Sequence, residues 1–436
     1  MEPSNHTIKT PSGDFPNLAE ALDWVYALQK FGIKFGLSST ARLLAGLHNP
    51  QQHCRYLHIA GTNGKGSVAA MLSAILTQAG YEVGFYSSPH LINFHERFRL
   101  KDRDIQDADV LSLINQVKAV VDVHELPTFF EFVTAMALLY FAQKKADPVI
   151  LETGMGGRLD ATNIVQPLLT IITNIALDHR EFLGNNLQAI AAEKAGIIKP
   201  KTPVITYVRQ HTARIPLQAA AEAMHAPLYW GGKAFRSRGL GNGRFRYDGI
   251  RGNFSQLQTN LIGRHQYRNA AVALAAVELL QERGFAIPEA AIRQGLTGVR
   301  WPGRLEEVSS RPRLILDGAH NPAAAAILAK ALDRDLSYDR LILVLGVMAD
   351  KDITGILNRL VPRADVVIFS RPRYDRAAGP EILESLAKNG PQETYVIPDL
   401  AAALAKAQSV AADNDLIVVT GSLFTVGEAR EHLGLS

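Results

Sequence analysis

The sequence predicts an α/β protein. A doubly wound, mostly parallel sheet is built around a phosphate loop and carries a small β insertion, and a second Rossmann-like α/β domain follows. Three observations carry this reading. Apolar strand-like runs alternate with helix-period segments through the first ~300 residues, the rhythm of a parallel sheet with helices on both faces. A glycine-rich segment, Gly61-Thr62-Asn63-Gly64-Lys65-Gly66-Ser67, stands between one such strand and one such helix. The rhythm then restarts after Trp301-Pro302-Gly303, where proline and glycine break any helix. A chain of 436 residues, 47% hydrophobic and 20% charged, has room for two or three domains. The expected division is 1–299 and 300–436.

In chain order, strands are expected at Tyr56–Ala60, Val83–Tyr86, Pro148–Leu151, Leu168–Thr173 and Pro203–Tyr207. Between the first two, Val68, Met71, Leu72, Ile75, Leu76 and Ala79 recur at helical spacing, which predicts one buried stripe ended by Gly80. Residues 229–262 break the rhythm. Here Lys233, Arg236, Arg238, Arg244, Arg246 and Arg251 stand among glycines with Asp248 as their acidic neighbour. Glycine at that spacing predicts short strands and hairpin turns, a solvated ribbon rather than a groove tracking phosphates. Helices are expected again over Gln266–Arg283 and Pro288–Thr297. In the second domain, strands at Leu314–Leu316, Leu341–Leu345, Val366–Phe369, Tyr395–Ile397 and Leu416–Thr420 alternate with helices that include Pro322–Leu332 and Leu400–Ala411.

Composition excludes several classes. The net charge of +4, from 46 basic and 42 acidic residues, is too small to mark a nucleic-acid binder. No apolar run reaches the ~18 residues of a membrane helix; the longest, Phe132–Ala142, is interrupted by Thr134. The N-terminal segment lacks the apolar core of a secretory signal. The single cysteine, Cys54, excludes an internal disulfide and a cysteine metal cluster, and reads as a small side chain near the core. A cytoplasmic enzyme without membrane or nucleic-acid partners is expected.

The glycine-rich segment has the context a phosphate loop requires. Its glycines let backbone N–H groups turn toward phosphate oxygens, and the helix N-terminus adds positive potential. Lys65 would place a charge at the β- and γ-phosphates, and the Ser67 hydroxyl can meet phosphate or metal. The loop departs from GxxxxGK[ST] because its first glycine is nearer and Gly66 separates Lys65 from Ser67. ATP is the expected ligand. At the ends of neighbouring strands stand Ser87 and Ser88, Glu152, and Asp178 with His179, all facing one crevice of a parallel sheet. Mg²⁺ favours carboxylate, hydroxyl and water oxygen, so Glu152 is its natural anchor. Taken alone, His179 reads as a hydrogen-bonded structural histidine, and Ser88 as a turn residue before Pro89.

AGTNGKGS, YSSPHL, ETGMGGRLDATN, LDH, EKAGI, HQYRNA, WPGR, DGAHNP and TGSLFTVGEAR follow one another in this order across residues 30–430. In these motifs the chain resembles the folylpolyglutamate synthase/dihydrofolate synthase family of the Mur ligase superfamily. GTNGKGS with SSPHL separates this folate branch from the cell-wall ligases. The resemblance implies an ATP-dependent ligase. ATP phosphorylates a carboxylate, L-glutamate attacks the acyl phosphate, and ADP and phosphate leave. It implies that Ser88, Glu152 and His179 hold Mg²⁺ (two ions), and that Asn63, Gly64, Lys65, Gly66 and Ser67 hold the phosphates. Asn269, Arg304 and Asp317 would complete the nucleotide site across the domain boundary. Lys194, in EKAGI, corresponds to a lysine that carries a carbamate in the family. His320 would lie near glutamate or the acyl phosphate; read alone, it is a helix-start residue ahead of Pro322.

By the same resemblance, the pterin-bearing substrate meets Ile33, Lys34 and Phe35, then Thr128, Phe129 and Phe130, then Leu159, Asp160 and Ala161. Aromatic faces suit a flat heterocycle, and Asp160 could accept hydrogen bonds from its amino and ring N–H groups. Without the resemblance these phenylalanines read as core. Lys34 replaces an acidic residue of some bifunctional members, and Arg180 stands where LDHT is common. Both bear on fine substrate preference. The leading expectation is a bifunctional, monomeric enzyme using dihydropteroate, folates, L-glutamate and ATP. A monofunctional polyglutamylase is the alternative. A cell-wall amino-acid ligase is more distant, because only about 50 residues precede the loop and a uridine-nucleotide domain needs more. A non-catalytic nucleotide switch would not need Lys65, Glu152, His179, Lys194 and Asp317 together.

Overall fold

The computed structural model describes residues 13–32, 34, 36–388 and 390–435. Ile33 and Phe35 lie outside the described residues. The strands of the first domain are β1 (Tyr56–Ala60), β2 (Gly84–Tyr86), β3 (Phe98–Leu100), β4 (Arg103–Asp104), β5 (Val149–Glu152), β6 (Pro167–Ile172), β7 (Val204–Thr206) and β8 (Leu228–Trp230). They form one sheet in the order β4-β3-β2-β5-β1-β6-β7-β8. From β2 to β8 every pairing is parallel, and β3 and β4 add an antiparallel edge. The parallel strands β1, β2, β5, β6 and β7 are almost wholly buried, as expected of a sheet covered on both faces. Their carboxyl ends therefore open onto one crevice beside β1, where the chain order reverses.

The helix that follows β1, Lys65–Gln78, differs from its expected single stripe. It is buried on all sides from Gly66 to Leu76, with Ser67 and Ser73 included. One face meets the sheet, and the helices His265–Gln281 and Glu289–Gly298 cover the rest. Its small residues, Gly66, Ala69, Ala70, Ser73 and Ala74, let those neighbours approach closely. The apolar run at 132–142 lies inside the helix Phe129–Gln143, packed between sheet and N-terminal helices. Among the described residues no helix is long and apolar enough to cross a membrane.

The insertion is a three-stranded antiparallel sheet, β11 (Asn253–Gln258), β10 (Arg244–Asp248) and β9 (Arg236–Gly241). Its outer face carries the arginines: Arg236 and Arg246 pair with Asp248 at 3.0 and 2.5 Å. Its inner face buries Phe245, Tyr247 and Leu257 against the first domain's core. Glu278 locks the ribbon down, accepting from Tyr247 Oη at 2.7 Å and from the N–H groups of Ile250, Arg251 and Gly252.

A second sheet runs β12 (Glu306–Ser310), β13 (Arg313–Asp317), β17 (Leu416–Thr420), β14 (Leu341–Leu345), β15 (Val366–Phe369) and β16 (Glu393–Val396). All pairings but β12–β13 are parallel. The strands β3, β4, β8 and β12, at or next to the sheet edges, escape the sequence reading because they are short or polar.

Candidate active site

The carboxyl ends of both sheets face a cleft of about 410 Å³ lined by Gly61–Ser67, Glu152, His179, Lys194, Asn269 and Asp317, among others. Gly64 stands at the start of the helix Lys65–Gln78 with φ 84°, a conformation that favours glycine, and a Cβ there would lie 2.9 Å from Asn269 Oδ1. No side chain caps this helix, so its first N–H groups point unclaimed toward the cleft. Two lysines converge on one carbonyl: Lys65 Nζ donates to Gly61 O at 3.2 Å and Lys194 Nζ at 3.1 Å. Lys194 is only 4% exposed. Burial, aided by the charge of Lys65, pushes its ammonium down to about 7.

Glu152, the last residue of β5, lies 3.7 Å from Lys65 Nζ. Burial raises its carboxyl above the ordinary range, against the pull of Lys65 and Arg304. Ser88 Oγ is buried without a hydrogen-bond partner, and His179, driven down to about 4 by burial, is neutral at physiological pH. A buried carboxylate, an unclaimed hydroxyl and a neutral imidazole on one cleft form a donor set suited to a divalent cation. Among the described residues no three His, Cys, Asp or Glu side chains cluster as a complete protein cage, so phosphate and water oxygens would have to fill the remaining positions.

The second domain closes the cleft through Asp178. Its carboxylate accepts from Asn321 Nδ2 at 3.0 Å and Lys351 Nζ at 3.3 Å, and His320 Nε2 lies 3.6 Å away. Burial works to raise Asp178, but the neighbouring His320, His179 and Lys351 hold it well below the usual carboxylate range. Asn321 also exchanges hydrogen bonds with Asn63 of the phosphate loop, at 3.1 and 3.3 Å. Asp317 accepts from the N–H groups of Leu305 and Ala319 beside Arg304, whose charge opposes the rise that burial imposes on its carboxyl. Asn269 Nδ2 donates to Gln266 Oε1 at 2.8 Å, which leaves its Oδ1 over Gly64.

Of the positions expected to meet the pterin, Phe130 and Asp160 lie against Gly154 and Met155, which line the cleft just past Glu152. Phe130 packs over Gly154, and Phe129 stacks on Tyr26 at 5.7 Å with the Arg97 guanidinium 5.2 Å from its centroid. Three of the expected contacts also hold the structure together. Thr128 caps the helix Phe129–Gln143 in a reciprocal pair with Glu131. Asp160 accepts from Met155 N and from Thr162 N and Oγ1, at 2.8, 3.0 and 2.5 Å, so its carboxylate is held by its own loop. Ala161 is buried. Leu159 is half-buried, and Lys34 Nζ donates to Leu126 O at 2.7 Å.

Two family models match the chain: the Mur ligase middle domain over residues 59–277 and the Mur ligase glutamate ligase domain over 303–423. A Bacillus subtilis dihydrofolate synthase/folylpolyglutamate synthase is 37% identical over 430 residues, covering 96% of this chain and all of that one. The Escherichia coli FolC structure, which holds DHPP and ADP, aligns with a TM-score of 0.88 at 32% identity, over 96% of this chain and 99% of that one. A Yersinia pestis bifunctional folylpolyglutamate synthase/dihydrofolate synthase complexed with AMPPNP and Mn ion aligns with a TM-score of 0.87 at 33% identity, over 98% and 100%. The chain belongs to the folylpolyglutamate synthase/dihydrofolate synthase family.

Members of this family are ATP-dependent ligases, and so is this chain. Against that background, sequence reading missed Asn321, Lys351 and Arg97. Asn321 was legible in part, since asparagine before proline is a common helix start. Lys351, a lone cation between aspartates, and Arg97, one of several cations in FHERFRLKDR, carried no distinguishing signal. Arg97 is buried, packs on Phe129 and donates to His90 Nδ1 at 2.8 Å.

Proposed function

We propose that the chain adds L-glutamate to 7,8-dihydropteroate, giving dihydrofolate, and then extends folates as γ-linked polyglutamates. The convergence of Lys65 and Lys194 on the Gly61 carbonyl, with Glu152 3.7 Å from Lys65, is the observation that carries this reading. In the first step a carboxylate oxygen of the pterin substrate attacks the γ-phosphorus of ATP, and ADP leaves. In the second the glutamate amine attacks the acyl carbonyl, and phosphate leaves with its bonding electrons. Asn63, Gly64, Lys65, Gly66 and Ser67 hold the phosphates, and the uncapped helix start stabilises their charge. Asn269, Arg304 and Asp317 complete the nucleotide site, and His320 faces the second step from the glutamate-ligase domain.

Ser88, Glu152 and His179 would hold Mg²⁺, which when bound neutralises charge on the phosphoryl group in flight. A second ion would sit beside Lys194 once that lysine takes up carbon dioxide as a carbamate. An amine pushed down to about 7 is substantially neutral at physiological pH, as carbamate formation requires. Phe129, Phe130 and Leu159 would meet the pterin, with Thr128, Asp160 and Ala161 shaping that wall and Ile33, Lys34 and Phe35 the facing loop. The units divide at 1–299 and 300–436, and the enzyme acts as a cytoplasmic monomer.

The test is ligation of labelled glutamate by purified protein with ATP and Mg²⁺. Incorporation into both dihydropteroate and a reduced monoglutamyl folate is expected. Activity with folate alone would reduce the enzyme to a polyglutamylase, and none with either acceptor would sink the reading. A carbonyl resonance from labelled bicarbonate, lost in Lys194→Arg, would report the carbamate.

A further inference from the structure

The glycine between Lys65 and Ser67 is a departure of the phosphate loop that ATP binding does not explain. It stands in the first turn of a helix, where glycine is about 1 kcal/mol less favourable than alanine. The reason is on the other side of the loop. A Cβ at 66 would lie 2.6, 2.7 and 2.8 Å from Nε1, Cζ2 and Cε2 of the Trp301 indole. Those separations are shorter than real Cβ atoms keep, and the neighbour is a rigid ring.

The indole cannot easily withdraw. It stacks on Phe85 of β2 with centroids 5.3 Å apart, and the Arg99 guanidinium lies 5.2 Å from its centroid. Arg99 is itself held by Asp104 at 2.9 Å. Beyond Trp301 the linker is tied to the second sheet: Gly303 N donates to Glu306 Oε2 and Gly318 N donates to Gly303 O, both at 2.8 Å. Arg304 follows three residues on. The ring thus touches the strand that leads to Ser88, the helix turn that bears Lys65 and Ser67, and the linker that delivers Arg304. It does not line the nucleotide cleft. Instead it walls a separate chamber of about 120 Å³ behind the loop, shared with Ser88, Glu152, Arg304 and Arg430.

We propose that Trp301 is a positioning residue for phosphoryl transfer: lodged in the space that Gly66 leaves open, its indole sets the first turn of the phosphate-loop helix and couples it to the interdomain linker. This inference rests on the phosphate loop holding ATP. The experiment is a double-mutant cycle of Gly66→Ala and Trp301→Ala, with Trp301→Phe as the conservative variant, read by AMPPNP titration calorimetry, steady-state kinetics and thermal unfolding.

Trp301→Ala is expected to raise KM for ATP by about tenfold or more with little change in KM for the pterin substrate, and Trp301→Phe to recover most of that loss. Gly66→Ala is expected to weaken AMPPNP binding at least as much. The double variant should bind AMPPNP more tightly than Gly66→Ala alone, because removing the ring removes the clash. A generic packing role would not produce that rescue. Losses that multiply in the double variant, or a Trp301→Ala protein whose ATP parameters stay within about twofold of wild type, would overturn the proposal. A wild-type protein that binds no AMPPNP would overturn the ATP reading as well, an outcome visible before any variant is made.

Discussion

Two turns in this molecule have the same outline and opposite chemistry. In each domain a buried parallel strand ends at the cleft, a short loop follows, and a helix begins: β1 into Lys65–Gln78, and β13 into Pro322–Arg334. In the first, Gly64 occupies the cap position and offers no side chain. In the second, Asn321 Oδ1 accepts from Ala324 N at 2.9 Å, and Pro322 brings no N–H to the first turn. The bare turn keeps donors free for an anion, whereas the capped turn has spent them on itself. What the capped turn offers is side chains: His320 and Asn321 reach across to Asp178 and Asn63 of the other domain. A helix N-terminus is thus an anion site only where no side chain has claimed it.

The contrast can be broken at several points. The largest effect is expected from Glu152→Gln, which removes the buried carboxylate beside Lys65; kcat at saturating ATP should fall by about 100-fold or more. Unchanged turnover at matched Mg²⁺ would remove Glu152 from the metal site. Next, Gly64→Ala forces a positive φ on an L side chain and presses on Asn269, so AMPPNP affinity should drop by about tenfold or more in calorimetry. The same assay applied to Asn321→Ala should give the reverse pattern. Losing the cap destabilises the second domain by about 1 kcal/mol in urea unfolding. Nucleotide affinity stays within about threefold, and kcat falls because Asp178 and Asn63 lose their bridge. If Asn321→Ala instead abolished nucleotide binding, the two turns would not divide the work as described.

The smallest effect concerns the strand behind the bare turn. His58 of β1 is wholly buried, sits 2.8 Å from Thr162 Oγ1, and is driven down to about 3 by burial, with the charge of Lys199 adding to it. The unfolded chain accepts a proton near the ordinary 6.5 and the folded state refuses it. Stability from this group is therefore whole above about 6.5 and lost as pH falls from there toward 3. His58→Gln should shallow the fall of the urea midpoint between about pH 7 and pH 4. It should not abolish that fall, since His90 is depressed in the same direction. An unaltered slope would show that His58 takes no part in it.

Much of this was legible in one dimension. Continuous apolar runs mark buried parallel strands, so β1, β14, β15 and β17 fall at their expected bounds. Glycines in a loop between strand and helix mark the phosphate site, because few other residues tolerate that backbone. Other features were hidden. The helix after β1 reads as one-sided because Ala and Ser do not register as core, yet two helices far along the chain close over them. Asp160 reads as a free acceptor because its donors, Met155 and Thr162, are backbone and hydroxyl groups of ordinary residues.

The amino-acid order alone determined the two sheets, the phosphate loop and the family, since each depends on local pattern: alternation, spacing, and glycine where only glycine fits. Tertiary structure alone decided which groups share a charge or a space. Asp178 meets Lys351 from 173 residues away, Lys194 loses proton affinity through burial with the charge of Lys65 adding to it, and Trp301 claims the room beside Gly66. Electrostatic and steric terms act over ångströms in space, and sequence separation does not record that distance.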